Sequence, residues 1–229
     1  MPLPPGQRAL DHFPRFGVPA SASRLPTAPG GDFAIQVKAA EAELEPIALA
    51  ELAQLRRVDV VADFHCVTTW SYRALSWSGY AFRDFYARLL RPRAPAHSSC
   101  AFVEFRGLDG YGTCIALEDL LGEDVLLADR LNGAPLSLEH GAPIRLVAPS
   151  LYGYKNIKHV SLVSLRSDYR RSFAERQTRA HPRGRVAFEE RGRGLPGSAY
   201  RIVYRALLPA TLWYFQRAER RARRMDDRA

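Results

Sequence analysis

The chain of 229 residues is poor in cysteine, in lysine and in long apolar runs. Its three cysteines, Cys66, Cys100 and Cys114, are odd in number and lack paired spacing. This argues against a disulfide scaffold and favours free thiols in a reducing compartment. No uninterrupted run of about 18 apolar residues is present, and no charged-then-apolar order opens the chain. The sequence therefore predicts a cytoplasmic protein, with a periplasmic location left open by possible processing.

The positive charge of the chain is concentrated near its C-terminus. Residues 1–165 contain 16 Lys and Arg against 17 Asp and Glu, whereas residues 166–229 contain 17 against 7. A nucleic-acid-binding body would be expected to carry its own basic stripe, so the neutral first part argues against nucleic acid as a partner. The basic tail instead favours contact with a membrane surface or an acidic protein.

The pattern of apolar residues predicts an α+β protein with mostly short strands. Residues 33–38 alternate as a strand, and residues 58–67 are rich in β-branched side chains, so we expect a buried strand that delivers Cys66 where the chain meets a polar loop. Further strands are predicted at residues 100–105, 125–131, 144–148 and 159–165, and short helices at 48–55, 117–121 and 82–90, the last ending at Pro92.

A domain boundary is predicted near Leu165, which gives a domain at residues 1–165 and a basic, partly helical extension at residues 166–229. Residues 183–197 are rich in Arg and Gly and predict a flexible connector. Residues 200–224 predict a helix kinked at Pro209, with an apolar part too short to span a bilayer. Packing of this helix on its own domain, with its arginines in water, is favoured over binding to a membrane interface.

Cys66 is the first candidate for a chemical role. A lone cysteine on a strand is most often a small buried hydrophobe. Its neighbours His65, Thr68 and Thr69, and the possible walls Trp70 and Trp77, favour a dry pocket around a thiolate, the ligand of soft metal centres. A structural zinc site is disfavoured because no Cys-x-x-Cys spacing is present. Catalysis by a Cys-His pair remains possible in principle.

A second cluster combines His140, Arg145, Lys155 and Lys158 within 19 residues of an otherwise neutral body. Arg145 offers a planar fork suited to phosphate, and Gly153 relaxes the backbone before the two lysines, so the segment predicts an anion-binding concavity. Neither a Gly-x-Gly-x-x-Gly nor a phosphate-loop motif is present, which weakens nucleotide interpretations.

These segments resemble the molybdopterin-binding domain of sulfite oxidase-type oxidoreductases from about Phe13 to about Leu165. The resemblance is carried by Phe64-His-Cys-Val-Thr-Thr-Trp-Ser71, Trp77-Ser-Gly79, Gly107-Leu-Asp-Gly-Tyr-Gly112, Asp124-Val-Leu-Leu-Ala128, Asn132-Gly133, His140-Gly-Ala-Pro-Ile-Arg145 and Gly153-Tyr-Lys-Asn-Ile-Lys158. It implies a mixed, β-rich α+β fold around a molybdenum cofactor, with Cys66 as the metal ligand. The other cofactor-binding positions that it implies are Arg15, His65, Thr68, Asp109, His140, Arg145, Gly153, Lys155 and Lys158.

The resemblance also implies oxygen-atom transfer to or from a small oxo-anion or sulfoxide, such as sulfite. Arg73 and Tyr169 are the candidate residues for the substrate, because Arg73 lies near Cys66 in sequence and Asp168-Tyr-Arg170 resembles the active-site tyrosine segment of the group. No haem motif is present, so an external haem or flavin protein is expected to exchange the electrons. An alternative is a catalytically silent scaffold of the same fold that docks through its basic tail.

Overall fold

The computed structural model describes residues 2–14, 26–95 and 99–226, and its strands form two sheets. The first sheet contains β1 (Arg8–Ala9), β4 (Arg57–His65), β5 (Trp70–Ala81), β8 (Leu126–Leu131), β9 (Ala134–Pro135) and β10 (Arg145–Val147). The second contains β2 (Ala34–Ala39), β3 (Ala42–Ala48), β6 (Phe102–Gly107), β7 (Gly112–Ala116) and β11 (Val160–Arg166).

Strand β5 organises the first sheet. It pairs along its length with antiparallel β4, and it also pairs with antiparallel β8 and with the short parallel strand β1 at Trp70 and Ser71. Strand β10 continues the sheet beyond β8. Because β1 joins β5 directly after the β4–β5 turn, the N-terminal segment lies beside Cys66.

In the second sheet the order is β3-β2-β11-β6-β7, with β11 parallel to β2 and the other pairs antiparallel. The main core combines residues of both sheets with the buried rings of Phe82, Phe85 and Phe105. The fold is therefore α+β, as predicted.

Helices are short except at the C-terminus. They are α1 (Leu49–Leu52), α2 (Phe82–Phe85), α3 (Arg91–Arg93), α4 (Leu117–Leu120), α5 (Phe173–Thr178) and α6 (Gly197–Asp226), with a π-helical turn at Tyr86–Leu90. The predicted end at Pro92 was wrong, because Pro92 occupies the first turn of α3, where its missing N–H is tolerated. None of the described helices has an apolar stretch long enough to cross a bilayer.

The largest error of sequence interpretation concerns β5. A polar loop was expected after Trp70, but a strand of 12 residues follows. Its serines look like loop residues, yet Trp70, Leu75 and Trp77 are buried in it. Position 79 of this strand requires glycine, because a Cβ there would lie only 2.1 Å from the carbonyl oxygen of Leu127. Gly79 thus reflects the close approach of β8, and Ser71 is buried against His65, so neither residue marks a loop.

The predicted flexible connector at residues 183–197 was also wrong, because this segment is held by ion pairs. The Arg183 guanidinium lies 2.6 Å from an Asp119 oxygen, and the Arg185 guanidinium lies 2.7 Å from a Glu190 oxygen. Beyond this segment α6 continues through Pro209. Arg183 and the α6 residues Leu208 and Leu212 therefore lie against the domain rather than apart from it.

Candidate active site

The β4–β5 turn fixes the thiol of Cys66. The backbone N–H of Cys66 donates to the Trp70 carbonyl at 2.8 Å, and the N–H of Thr69 donates to the Cys66 carbonyl at 3.2 Å. Sγ of Cys66 lies 3.1 Å from Oγ1 of Thr68, and either atom can be the donor. The sulfur is thus presented from a hydrogen-bonded turn, with one hydroxyl already beside it.

The surroundings of Cys66 are apolar. Cys66 is 6% exposed and packs in one cluster with Trp70 and Leu208, against which Phe13 and Leu212 also pack. Leu208 and Leu212 come from α6, so the C-terminal helix encloses the thiol. Burial raises the pKa of Cys66, because a thiolate is poorly solvated there. The free thiol is therefore protonated at neutral pH.

His65 does not serve Cys66 as a base. Its Nδ1 lies 2.7 Å from the hydroxyl of Ser71, and burial lowers its pKa. Within the described part of the chain, the hydrogen bonds of the Cys66 side chain run to Thr68 and to the backbone of Val67, and none runs to His65. A thiol with a raised pKa and no adjacent base is a poor nucleophile. This geometry disfavours the Cys-His hydrolase interpretation.

Arg191 is a residue that sequence interpretation missed. It is fully buried and donates to the Val67 carbonyl at 2.7 Å and to the Pro5 carbonyl at 2.9 Å. Its guanidinium also lies over the ring of Tyr152 at 5.0 Å. Because it sits among many exposed arginines of a basic tail, no local pattern distinguishes it. It ties the turn after Cys66 to the N-terminal segment.

Arg145 lies at the other end of the site and is 1% exposed. It donates to the His140 carbonyl at 2.9 Å, and its Cζ lies 4.9 Å from the ring centroid of Trp77. Among the described residues its Nε has no hydrogen-bond partner and no carboxylate pairs with it. Burial lowers its pKa to about 9. A buried cation without an acidic partner is costly unless an anion joins it.

His140 and Lys158 lie next to Arg145. Burial, with Lys158 and Arg145 adding to it, lowers the pKa of His140 to about 4. Nδ1 of His140 is buried without a hydrogen-bond partner in the described structure. Nζ of Lys158 donates to the Glu139 carbonyl at 2.8 Å. Together these groups form a cationic corner that contains a neutral imidazole.

Two phenylalanines connect this corner to Cys66. The Phe13 ring stacks on the His140 ring at 5.1 Å and meets the Phe64 ring at 5.1 Å. Phe13 and Phe64 both pack against the cluster that contains Cys66. Gly153 lies against Phe64, since a Cβ at position 153 would be 2.4 Å from its Cζ. The structure thus brings the thiol, the imidazole and Gly153 around one aromatic contact.

Lys155 and Tyr169 lie in a different buried group. Nζ of Lys155 forms an ion pair with Glu175 and donates to the Cys114 carbonyl at 2.8 Å. The Tyr169 hydroxyl donates to Glu175 at 2.6 Å. Burial lowers the pKa of Lys155, and the Glu175 carboxylate opposes that shift. In this structure Glu175 holds both side chains, and their predicted roles toward cofactor and substrate stay predictions.

The remaining predicted residues lie at separate places in the structure. Asp109 lies in a turn and accepts from the backbone N–H of Tyr111 at 3.0 Å. Arg73 is exposed at an irregularity between β4 and β5. Trp77 packs on Arg145 and not in the Cys66 cluster, whereas Trp70 does line the thiol. Arg15 lies outside the described residues.

This arrangement suits a ligand that is anionic at one end and bears a soft metal at the other. The thiol can provide one sulfur ligand, whereas the described residues contain no cluster of three or more His, Cys, Asp or Glu side chains that could bind a metal alone. The polar atoms without partners, Nε of Arg145 and Nδ1 of His140, fit the phosphate and the heterocycle of a pterin. Fold and site therefore define a metal-pterin oxidoreductase domain.

The family match agrees with this class. Residues 23–174 match the family described as oxidoreductase molybdopterin binding domain. The chain belongs to this family of molybdopterin-binding oxidoreductases. The match extends beyond the boundary predicted at residue 165 and includes Tyr169.

Several curated proteins are similar to the chain. An uncharacterized oxidoreductase YuiH of Bacillus subtilis is 34% identical over 50% of this chain and 55% of its own length. A putative protein-methionine-sulfoxide reductase subunit YedZ1 of Azospira oryzae is 30% identical over 63% of this chain and 53% of its own length. Human mitochondrial sulfite oxidase is 33% identical over 43% of this chain and 20% of its own length. The chain thus spans about half or less of these relatives.

A solved structure shares the fold. The crystal structure of the sulfane dehydrogenase SoxCD from Paracoccus pantotrophus matches with a TM-score of 0.52 and 18% sequence identity, over 64% of this chain and 40% of that chain. The predicted sulfite oxidase-like molybdopterin-binding fold is therefore confirmed, together with its cofactor class.

Proposed function

We propose that the protein is a molybdenum-dependent oxidoreductase that transfers an oxygen atom to or from a small sulfur oxo-compound, such as sulfite or a sulfoxide. The observation that carries the proposal is the arrangement around Phe13 and Phe64. Among the described residues, the buried Cys66 thiol on one side has no adjacent base, and the buried Arg145 guanidinium beyond His140 on the other side has no carboxylate partner. The names of the sulfite oxidase and sulfoxide reductase relatives support the substrate class.

Bound molybdenum cofactor supplies oxygen-atom transfer coupled to a two-electron change at the metal. Cys66 contributes the protein sulfur ligand, which requires loss of the thiol proton because burial disfavours thiolate without a metal. The Thr68 hydroxyl, 3.1 Å from the sulfur, donates to the thiolate once the proton has left. Trp70 and Leu208 keep bulk water from the sulfur.

Arg145, His140 and Lys158 hold the anionic part of the cofactor in this proposal. Arg145 gains a partner for the charge that the described residues leave uncompensated. His140 is neutral at pH 7 because its pKa is about 4, so it can both donate and accept a hydrogen bond. The predicted set also contains Arg15, His65, Asp109, Gly153 and Lys155. In this proposal Lys155 acts through the loop that its pairing with Glu175 fixes.

Substrate contact is assigned to Arg73 and Tyr169. Arg73 is exposed close in sequence to Cys66, and its guanidinium suits an oxo-anion. Tyr169 needs its hydroxyl released from Glu175 in order to reach a substrate. An external haem or flavin protein exchanges the electrons in this proposal: it accepts them when the substrate is oxidised and supplies them when a sulfoxide is reduced.

Metal and pterin analysis of purified protein tests the proposal. We expect bound molybdenum and turnover of sulfite or methionine sulfoxide with an artificial electron carrier, and we expect Cys66→Ser to abolish turnover. Cys100→Ser and Cys114→Ser are matched controls, because both residues are also buried free cysteines. Protein without molybdenum, or full activity after Cys66→Ser, would contradict the proposal.

A further inference from the structure

Helix α6 has two apolar faces. Its inner face places Leu208, which is 4% exposed, and Leu212 in the cluster around Cys66. Its outer face leaves Ile202 73% and Trp213 60% exposed, and Val203 and Leu207 about half exposed. Packing of α6 on the domain therefore accounts for its inner apolar face only. The predicted packing of this apolar segment on its own domain leaves the outer face uncovered.

The exposed residues form one stripe. At about 100° of rotation per residue, Ile202, Val203, Leu207 and Trp213 fall within an arc of roughly 140°. Leu208 and Leu212 lie outside that arc, toward the domain. Scattered single apolar residues are normal on a protein surface, but a continuous stripe along three turns of a helix indicates an interaction surface.

The charge that follows the stripe indicates what covers it. Residues 217–224 contain five arginines and one acidic residue, Glu219. Arg217 also lies over the Trp213 ring, with Cζ at 5.4 Å from the centroid. A second copy of the same helix would bring like charges together. An anionic lipid surface offers both headgroup charge for the arginines and an apolar boundary for the stripe.

We propose that α6 binds the surface of an anionic lipid bilayer through Ile202, Val203, Leu207 and Trp213, with the helix lying in the plane of the interface. The inner face of the helix then holds the Cys66 cluster directly behind the membrane-bound face. Electrons would accordingly be exchanged with a carrier at the membrane. Binding itself is independent of the proposed redox function and is measured without turnover.

Trp213 provides an intrinsic probe for this binding. Trp70 and Trp77 are 0% and 1% exposed, so a change in tryptophan emission on adding vesicles reports Trp213. With vesicles containing about a third phosphatidylglycerol, we expect a blue shift, protection from iodide quenching, and cosedimentation that weakens steeply with salt. Pure phosphatidylcholine vesicles should produce much weaker binding.

Two sets of variants separate the apolar and the electrostatic contributions. Ile202→Ser with Leu207→Ser should weaken partitioning on the order of tenfold or more, whereas Val61→Ser, at a residue 70% exposed elsewhere, should not. Arg217→Gln, Arg220→Gln and Arg221→Gln together should weaken it by roughly two orders of magnitude. The matched control has the same net charge and changes three exposed arginines of another surface, Arg56, Arg83 and Arg88, to Gln.

Several results would overturn the proposal. These are no binding to anionic vesicles, equal binding to both lipid compositions, or equal losses in the stripe variants and their controls. Sedimentation equilibrium provides a further test that could overturn the proposal. A dimer that dissociates in the Ile202→Ser, Leu207→Ser variant would show that the stripe binds a second copy of the chain.

Discussion

Arg191 donates a hydrogen bond to the carbonyl oxygen of Val67 at 2.7 Å, across 124 positions of sequence. Val67 directly follows Cys66, so a residue of the basic C-terminal extension fixes the turn that presents the thiol. The same guanidinium binds the Pro5 carbonyl at 2.9 Å. The extension is therefore part of the candidate site and not only an appendage.

Replacing Arg191 with Met should destabilise the protein and loosen the Cys66 turn. Loss of two hydrogen bonds from a charged donor predicts a decrease of about 2–4 kcal/mol in the free energy of unfolding. Denaturant titration measures it, and iodoacetamide should then alkylate Cys66 faster in native apo-protein. Arg185→Met, which breaks the partly exposed pair with Glu190, is the control and should cost less than about 1 kcal/mol. Equal effects of the two variants would contradict the role of Arg191 in fixing the turn after Cys66.

Arg145→Met should separate stability from cofactor binding. The described residues give Arg145 no carboxylate, so an apolar side chain of similar volume should leave apo-protein stability unchanged or raise it by about 1–2 kcal/mol. Cofactor content should fall at least roughly tenfold, because a charge-assisted contact with the phosphate is lost. Molybdenum analysis and unfolding of apo-protein measure the two effects. A variant that is strongly destabilised but fully loaded would show that Arg145 is purely structural.

Gly153→Ala should disturb the aromatic contact beside Cys66. The new Cβ would lie 2.4 Å from Cζ of Phe64, so the ring must shift, at a cost of about 1–3 kcal/mol. Gly31→Ala is the matched control, because nothing lies within 4 Å of a Cβ there. Thermal unfolding of both variants measures the difference. If Gly153→Ala unfolds at the same temperature as Gly31→Ala, the contact is looser than described.

His140 should make apo-protein stability depend on pH. The pKa of His140 is about 4 in the folded chain, compared with 6.5 for an ordinary histidine. Between these two values the unfolded chain therefore binds a proton at His140 and the folded chain does not. The free energy of unfolding should fall as the pH drops from about 6.5 to about 4, and His140 should cause no further decrease below about pH 4. His140→Gln should flatten this part of the profile, as measured by denaturant titration at several pH values. Superimposable profiles of the two proteins would contradict the assignment.

Much of the fold and of the site follows from local sequence. Alternating and β-branched runs correctly predicted β2 and the position of β4, and the segments around Cys66 and Arg145 predicted the cofactor family. The expected burial of β4 was wrong, because its residues are exposed or half-buried and Val61 is 70% exposed. Strand β5 was missed because Gly79 lies against the backbone of Leu127 and the Ser71 hydroxyl contacts the ring of His65, so neither residue marks a loop. Local pattern carries no sign of these contacts.

The residues that sequence interpretation missed depend on long-range contacts. Arg191 resembles its neighbouring arginines until the fold buries it beside Val67. Phe13 was noted only as the start of the resemblance, although it stacks on His140. Likewise, Lys155 looks like a phosphate ligand in sequence, and only the fold reveals Glu175 as its partner. Such pairings arise from tertiary packing and not from spacing along the chain.

The sulfur coordination of bound molybdenum tests the central claim most directly. X-ray absorption at the molybdenum edge should show one sulfur neighbour fewer in Cys66→Ser than in the unmodified protein. Cys100→Ser and Cys114→Ser should leave the coordination unchanged. An identical sulfur shell in the unmodified protein and Cys66→Ser would contradict the assignment of Cys66 as the metal ligand.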